Sequence, residues 1–179
     1  MTDYRRLYIP GATYFFTLVS ESRQPLLASD DAVGRLREAF RYAMRRRPFR
    51  FDAVVILPDH LHAIWTLPLD DADFSERWRL IKYRFSHRSA ERGTTRPSLS
   101  SKREKGLWQR RFWEHCIRDE ADFAGHFHYL HFNPVKHGLT KRVADWPHSS
   151  FHRFVELGVY TPDWGCAIDT FDIAGDGGE

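Results

Sequence analysis

The chain has 179 residues, the usual length of one domain, and 42% of them are hydrophobic, which is enough to fill a single core. Its formal net charge is +3, and its two cysteines, Cys116 and Cys166, lack the spacing of a disulfide framework or a zinc site. No apolar stretch approaches the roughly 18 residues of a membrane helix, and charged residues near the N-terminus argue against a signal peptide. We therefore expect a soluble cytoplasmic protein without a membrane partner.

The first two predicted elements are a strand and a helix. Residues 13–20 are β-branched and aromatic, which is typical of a strand, and they follow a Pro-Gly turn. Apolar residues then recur at helical spacing after Asp30 and Asp31, either of which can cap the helix. We expect this helix to end before Pro48, because a proline disfavours helical conformation in the residue that precedes it.

A hairpin and a second helix follow in the sequence. Two extended runs, residues 51–57 and 60–67, are separated only by Pro58 and Asp59, which predicts a tight hairpin at the centre of a sheet. Ser75 is the predicted N-cap of the second helix. The chain up to this helix therefore supplies three of the predicted strands.

The second half contains a loop, a strand and a third helix. Residues 91–106 are polar and almost free of large apolar side chains, so burial cannot offset the entropy of ordering them, and we expect a mobile loop. Residues 107–117 predict a fourth strand, and a third helix begins at Asp119 or Glu120. The Asn133-Pro134 pair predicts the end of that helix.

The element order β-α-β-β-α-β-α indicates an α+β fold. This order is typical of a ferredoxin-like (RRM-like) sandwich, in which helices cover one face of an antiparallel sheet. We assign residues 1–140 to this domain and expect residues 141–179 to form an extension that packs on it and ends in an acidic tail.

Charge is distributed unevenly along the chain. Residues 75–118 contain thirteen Lys or Arg and four Glu, a net charge of +9, interleaved with aromatic residues. This pattern suits single-stranded nucleic acid, although a solvated helix face explains the charges equally well. From Tyr160 to the end there are five acidic residues and no basic one. The acidic tail is either a brake that competes with nucleic acid for the basic region or a solubilising end.

His60 and His62 are the first candidate site residues. On a strand, residues two apart point to the same face, so both imidazoles can meet one ion while Leu61 points away. Two histidines with oxygen donors accept Mg²⁺ or Mn²⁺ and leave coordination positions open for a phosphate oxygen. Two histidines with purely structural partners are the alternative.

The third helix carries the other candidates. Tyr129 and Asn133 are four residues apart and so lie on one helix face, which brings a phenol next to a metal-ligating amide. A phenol is a weak nucleophile at neutral pH unless a cation or base stabilises its anion. His126 lies one turn before Tyr129 and is a possible proton acceptor. The alternative is that Tyr129 and His126 are packing residues and Asn133 a helix C-cap.

Five stretches carry a more specific signal, and they are YRRLYIPGATYFFTLV, AVVILPDHLHAIWTLP, LWQRRFWEHCIRDEADF, YLHFNPVKHGL and DWPHSSFHRF. In these stretches the chain resembles the Y1 HUH transposases of the IS200/IS605 superfamily, and among them the REP-associated tyrosine transposases (RAYT), where REP denotes a repetitive extragenic palindrome. The resemblance implies the topology of an HUH endonuclease for the domain. It also implies that His60 and His62 bind a divalent metal, that Asn133 completes the metal shell and that Tyr129 is the nucleophile.

The resemblance further implies a reaction. The Tyr129 oxygen attacks a phosphorus of single-stranded DNA, forms a 5′-phosphotyrosine and releases a 3′-hydroxyl, which can later reverse the step without a nucleotide cofactor. The implied substrates are REP-like hairpins. The protein would bind them at the nucleoid, as a monomer or as a homodimer. A non-catalytic module that binds hairpin DNA or RNA through its sheet is the alternative, and it predicts no dependence on metal.

Contacts to DNA are expected from basic side chains and from two tryptophans. The basic candidates are Arg5, Arg6, Arg45, Arg46, Arg47, Arg79, Lys82, Arg84, Arg110 and Arg111. The candidates for stacking on bases are Trp65 and Trp113.

Overall fold

A four-stranded antiparallel sheet with the strand order β2-β3-β1-β4 is the centre of the fold. The computed structural model describes residues 6–90, 93 and 105–166. The strands are β1 (Thr13–Val19), β2 (Arg50–Ile56), β3 (His60–Thr66) and β4 (Trp113–Cys116). The helices are α1 (Asp30–Arg46), α2 (Phe74–Arg88), α3 (Glu120–Lys136) and the short α4 (Phe151–Glu156).

Helices α1 and α2 pack together on one face of the sheet. Alternate residues of the two central strands point into this layer, among them Phe16 of β1 and Trp65 of β3, which contact Trp78 of α2. All three side chains are fully buried. The predicted ferredoxin-like sandwich is therefore confirmed, with α1 and α2 as its helical layer.

Helix α3 lies against the opposite face of the sheet. A second apolar cluster joins Phe15 and Ile64 of the sheet to Leu130 of α3, and it continues into Phe151 and Tyr160 of the segment that follows. The sheet is thus buried on both faces, which explains why β1 and β3 are almost continuously buried rather than alternately exposed.

The hairpin is only partly central, because β3 lies between β2 and β1 while β2 is at the end of the strand order. The prediction of a central hairpin is therefore wrong for β2. The C-terminal segment covers the outer side of this strand instead. Val55 forms a bridge with Ser149, and the Ser150 hydroxyl accepts a hydrogen bond from the backbone N–H of Val54 at 2.9 Å.

Strand β4 has four residues, so the prediction of a strand over residues 107–117 is too long. Residues 107–112 leave the ladder, and only Trp108 makes an isolated bridge, to Ser20. The Lys82 ammonium donates to the carbonyl oxygens of Gln109 and Arg110, at 2.7 and 3.2 Å. These two carbonyl groups are thus paired with a side chain and not with a neighbouring strand.

The N-caps of α1 and α2 differ from the predicted ones. Ser29, not Asp30 or Asp31, caps α1 by accepting from the Ala32 N–H, and both aspartates lie in the first turn. Asp73, not Ser75, caps α2. Asp and Ser are common both at the N-cap and in the first turn, where acidic residues stabilise a helix through its dipole. The residue type alone therefore does not show which position is the cap.

Helix α3 continues through Pro134 to Lys136, so the predicted end at Asn133 is wrong. Pro134 removes one intrahelical hydrogen bond, but Asn133 and Pro134 are both buried, and that packing favours the helical path. The His137 N–H donates to the Asn133 carbonyl, and Gly138 then ends the helix with a φ of 66°, a conformation that favours glycine.

Two predictions fall largely outside the described residues. The loop over residues 91–106 is described only at Gly93, Lys105 and Gly106, and the acidic tail only as far as residue 166. Among the described residues, no helix combines the length and apolar character needed to cross a membrane.

The capping assignment of α2 is testable by a pair of substitutions. Asp73→Ala removes the acceptor of the Glu76 N–H, and we expect a loss of about 1 kcal/mol in the free energy of unfolding, measured by urea denaturation. Ser75→Ala removes only hydrogen bonds to Arg6 and Tyr8 near the surface, and we expect a smaller loss. A larger loss for Ser75→Ala would contradict this assignment.

Candidate active site

His60 and His62 lie side by side on one face of β3, as the strand alternation predicts. Their ring centroids are 5.1 Å apart, and both side chains are buried. Leu61 points into the opposite layer, among the residues that pack against α1 and α2. The two imidazoles therefore face α3.

Each histidine is oriented by a contact at its Nδ1 atom. His60 Nδ1 lies 2.6 Å from Asp59 Oδ1, and His62 Nδ1 lies 2.9 Å from the hydroxyl of Thr17. Burial raises the pKa of Asp59, but hydrogen bonds from His60 and Arg23 outweigh it, so its pKa lies below the ordinary value. An ionised carboxylate only accepts, so Nδ1 of His60 donates to Asp59, and in a neutral ring the lone pair is then on Nε2.

Helix α3 brings Tyr129, Asn133 and His137 to this pair. These residues are spaced by four and so share one helix face. The Tyr129 ring contacts His62 with centroids 5.6 Å apart, and the His137 ring contacts His60 at 5.0 Å. Asn133 lies between them on the helix and is fully buried. The predicted metal ligands and nucleophile therefore come together within one chain. They are His60, His62, Asn133 and Tyr129.

Lys136 is a site residue that the sequence reasoning missed. Its ammonium lies 2.8 Å from the Tyr129 hydroxyl oxygen and 4.6 Å from the centroid of the ring. Lys136 is seven residues after Tyr129, a spacing that places both on one helix face. The missed signal was this spacing, which has meaning only if the helix continues past Pro134.

His126 lies near Tyr129 on α3 but contacts a different group of residues. Its Nδ1 atom is 3.1 Å from Asp122 Oδ1, and its ring stacks on that of His115 with centroids 4.5 Å apart. The Phe15 ring contacts both His126 and Tyr129, at 4.9 and 6.2 Å. Burial lowers the pKa of His126. Its role as a proton acceptor stays a prediction.

His115, Asp122 and His126 bring three potential metal-ligand atoms within 4.8 Å of one another. The Asp122 carboxylate already accepts from His115 Nε2 at 2.8 Å and from the backbone and side chain of Arg118. The Arg118 guanidinium beside this carboxylate would repel a metal cation. This cluster therefore suits a hydrogen-bonded junction between β4 and α3 better than a metal site.

The two tryptophans predicted to stack on bases lie in different places. Trp65 is fully buried in the α1 and α2 layer, with its ring against Phe49 at 4.2 Å, so the prediction that it contacts DNA is wrong. Trp113 is half-buried on the same face as the histidines, because it pairs with Thr17, which in turn pairs with His62.

Several of the predicted basic residues line a groove on the opposite face, between α2 and residues 105–112. This α2 groove has a volume of about 670 Å³ and apolar walls that include Trp108 and Phe112. Its basic lining includes Arg6, Arg79, Lys82 and Arg110. The α2 groove thus combines cations with aromatic rings, the composition of a nucleic-acid surface.

The remaining basic candidates are dispersed. Arg45, Arg46 and Arg47 are exposed around the C-terminal end of α1, just before the start of β2, whereas His60 follows the end of that strand. Arg84 lies over the ring of Tyr42, Arg111 is exposed, and Arg5 is outside the described residues.

The chain is similar over nearly its whole length to proteins of assigned activity. It is 44% identical over 171 residues to the REP-associated tyrosine transposase of Escherichia coli, covering 96% of this chain and 95% of that protein. It is 41% identical over 166 residues to a Haemophilus influenzae protein assigned to the same family, covering 92% and 94%. No protein-family profile matches the chain.

A solved structure agrees with these relatives. The structure of a REP-associated tyrosine transposase bound to a REP hairpin matches with a TM-score of 0.82 and 45% identity, covering 100% of this chain and 98% of that one. The fold and these similarities define the class of the protein, which is a transposase. The chain belongs to the REP-associated tyrosine transposase family, which confirms the resemblance found in its motifs.

The junction at Asp122 gives a prediction for stability. Burial alone would raise the pKa of Asp122, but hydrogen bonds from His115 and Arg118 lower it well below its ordinary value. We expect Asp122→Asn to lower the free energy of unfolding at pH 7 by about 2 kcal/mol, as for hydrogen bonds to a charged group. Because the folded-state pKa is lowered, the difference from wild type is complete above about pH 5 and narrows as the pH falls below about 4.

Denaturant unfolding of both proteins between pH 3 and pH 7 measures this difference. Glu120→Gln is the matched control, since it removes an exposed carboxylate from the same helix turn, and it should change the stability little. A difference for Asp122→Asn that grows on acidification would contradict the prediction.

Proposed function

We propose that this transposase is a metal-dependent endonuclease and strand transferase of single-stranded DNA, with Tyr129 as nucleophile and REP-type hairpins as substrates. The observation that carries the proposal is the contact between the Tyr129 ring and His62, beside His60, within one chain. A phenol that contacts one of two adjacent, oriented imidazoles has an arrangement that suits metal-assisted attack on a phosphate.

The donor atoms around the pair fit a divalent metal. Nε2 of His60 and of His62 and the amide oxygen of Asn133 would hold it, because imidazole and oxygen ligands suit Mn²⁺ and Mg²⁺. Asp59 and Thr17 would act as the outer partners that keep metal-binding histidines in one orientation. The bound metal would polarise the scissile phosphate and neutralise charge on its non-bridging oxygens.

Tyr129 accounts for the transfer chemistry. Its oxygen forms a bond to phosphorus while the bond from phosphorus to the 3′ oxygen of the preceding nucleotide breaks. A 5′-phosphotyrosine and a free 3′-hydroxyl result, so the energy of the phosphodiester is kept for rejoining. Attack by water in place of the phenol would hydrolyse the phosphodiester, and its bond energy would be lost.

Hairpin DNA is the substrate that the similarities support. A relative of 45% identity is bound to a REP hairpin, and the α2 groove offers cations and aromatic rings to a DNA chain. Trp113 lies on the same sheet face as His62 and is the better placed of the two tryptophans for stacking near the scissile phosphate. We place this activity in the cytoplasm, at the nucleoid.

The nucleophile and the metal residues lie in one polypeptide, so the proposed reaction does not require a second copy. A homodimer that exchanges its α3 helices would bring Tyr129 to the histidines of its partner. Mixing Tyr129→Phe with His62→Ala distinguishes the two arrangements, since only exchange restores activity.

Tyr129→Phe should abolish the covalent product. We expect wild-type protein with a single-stranded REP-like hairpin and Mn²⁺ or Mg²⁺ to form a protein–DNA adduct that resists denaturation, because the phosphotyrosine bond is covalent. The variant lacks the attacking oxygen and should form none. Denaturing gels with end-labelled DNA measure the adduct.

Two further samples test whether the reaction depends on a metal. His62→Ala and wild type with a chelator should both lose at least about 100-fold in adduct formation if the metal polarises the phosphate. Hairpin binding without any adduct in wild type would favour the non-catalytic module instead. An adduct that persists in Tyr129→Phe would exclude this nucleophile.

If DNA binds in the α2 groove, its affinity should depend on the basic side chains that line the groove and less on those outside it. Arg110→Ala should weaken hairpin binding and reduce the slope of log affinity against log salt concentration by about 1, because one phosphate contact is lost. Arg88→Ala is the control, since Arg88 is exposed on α2 outside the lining of the groove. Equal effects of the two substitutions in a filter-binding titration would remove the groove from the DNA path.

A further inference from the structure

We infer that Lys136 is a second catalytic residue, which stabilises negative charge on the Tyr129 oxygen during cleavage and rejoining. This inference rests on the proposed function, because it requires Tyr129 to be the nucleophile. Its structural basis is the contact of 2.8 Å between the Lys136 ammonium and the phenol oxygen.

The geometry of Lys136 is specific to that oxygen. The ammonium donates to the hydroxyl and lies 4.6 Å from the ring centroid, so the ring face and the oxygen both attract it. Lys136 is exposed, whereas Tyr129 is 2% exposed. The lysine therefore extends from the surface across the phenol, at the side from which DNA would approach.

The position of Lys136 depends on the path of α3. Lys136 is the last residue of this helix, where backbone carbonyl groups favour a cation. It reaches the phenol because the helix continues through Pro134, which keeps positions 129 and 136 on one face two turns apart. Burial of Asn133 and Pro134 against the sheet thus also fixes the site of the ammonium.

The chemical step needs a cation at this atom. In cleavage, the O–H bond of Tyr129 breaks, the oxygen bonds to phosphorus, and the bond from phosphorus to the 3′ oxygen breaks. The proton passes through water to the 3′ oxygen, so the step consumes no net proton. In rejoining, the oxygen of a 3′-hydroxyl bonds to phosphorus and the phenol oxygen departs with the electron pair of its bond to phosphorus. The hydroxyl proton passes through water to the phenol oxygen. The Lys136 ammonium stays protonated and donates to that oxygen in both directions.

Lys136 and the proposed metal act at different atoms. The metal would neutralise charge on the non-bridging oxygens of the phosphate, whereas Lys136 touches the oxygen of the attacking and leaving group. Their contributions are therefore separable by substitution. An exposed lysine on a hydroxyl contributes little to folding, so the substitution should leave the fold intact.

Single-turnover cleavage at saturating hairpin DNA tests this inference. Lys136→Met keeps much of the side-chain volume but removes the charge, and we expect adduct formation to slow by roughly 10- to 100-fold. The rate of rejoining should fall by a similar factor, because the same oxygen is the leaving group. Lys136→Arg keeps the charge and should restore most of the rate. Lys141→Met is the matched control, an exposed lysine five residues further on.

The outcomes separate this inference from the proposed function. If wild type forms the Tyr129 adduct and Lys136→Met matches its saturated rate, the inference is overturned while the proposed function stands. A weaker hairpin affinity with an unchanged saturated rate would also overturn it, since Lys136 would then only bind DNA. If Tyr129→Phe still forms the adduct, both fail.

Fluorinated tyrosine at position 129 provides a second measurement. Fluorine withdraws electron density from the phenol oxygen, so the anion needs less external stabilisation. We expect the rate defect of Lys136→Met to shrink in the fluorinated protein. An undiminished defect would indicate that Lys136 only supports the local structure, and it would overturn the inference.

Discussion

The contact between α3 and the sheet face that carries His60 and His62 is the constraint on which the rest of the structure depends. Strand β3 presents its histidines through a period of two, and α3 presents Tyr129 and Asn133 through a period close to four. The Tyr129 ring contacts His62 because the helix face that carries Tyr129 packs on the strand face that carries His62. Helices α1 and α2 fill the other face and hold the sheet, and the C-terminal segment packs against α3 and holds the helix.

Most of the fold could be predicted from the sequence because its periodicities are strong. The β-branched and aromatic runs located β1, β2 and β3 to within one residue at either end. The wrong N-caps of α1 and α2 are local errors, whereas the larger errors concern features that depend on partners far along the chain. Helix α3 passes through Pro134, which is buried, and the carbonyl groups of Gln109 and Arg110, which precede β4, accept hydrogen bonds from Lys82. Neither partner is visible in a local pattern.

The site was predictable where its residues follow a spacing rule. His60 and His62, and likewise Tyr129 and Asn133, share a face by counting alone, and the structure brings the two pairs together. The sequence also contained the information that Trp65 lies on the opposite face, since it is three residues from His62 on a strand. Asp59, Thr17 and Lys136 were not identified because their contacts depend on a turn, a neighbouring strand and the length of a helix.

The bridge between Val55 and Ser149 has a consequence for where this protein can be divided. It covers the outer edge of β2, whose unpaired backbone groups would otherwise be a template for strands of other molecules. The predicted division after residue 140 separates β2 from Ser149, the residue that forms this bridge. A fragment that stops there would expose β2 and lose the packing of Phe151 and Tyr160 on α3, and it would self-associate through the open edge of its sheet.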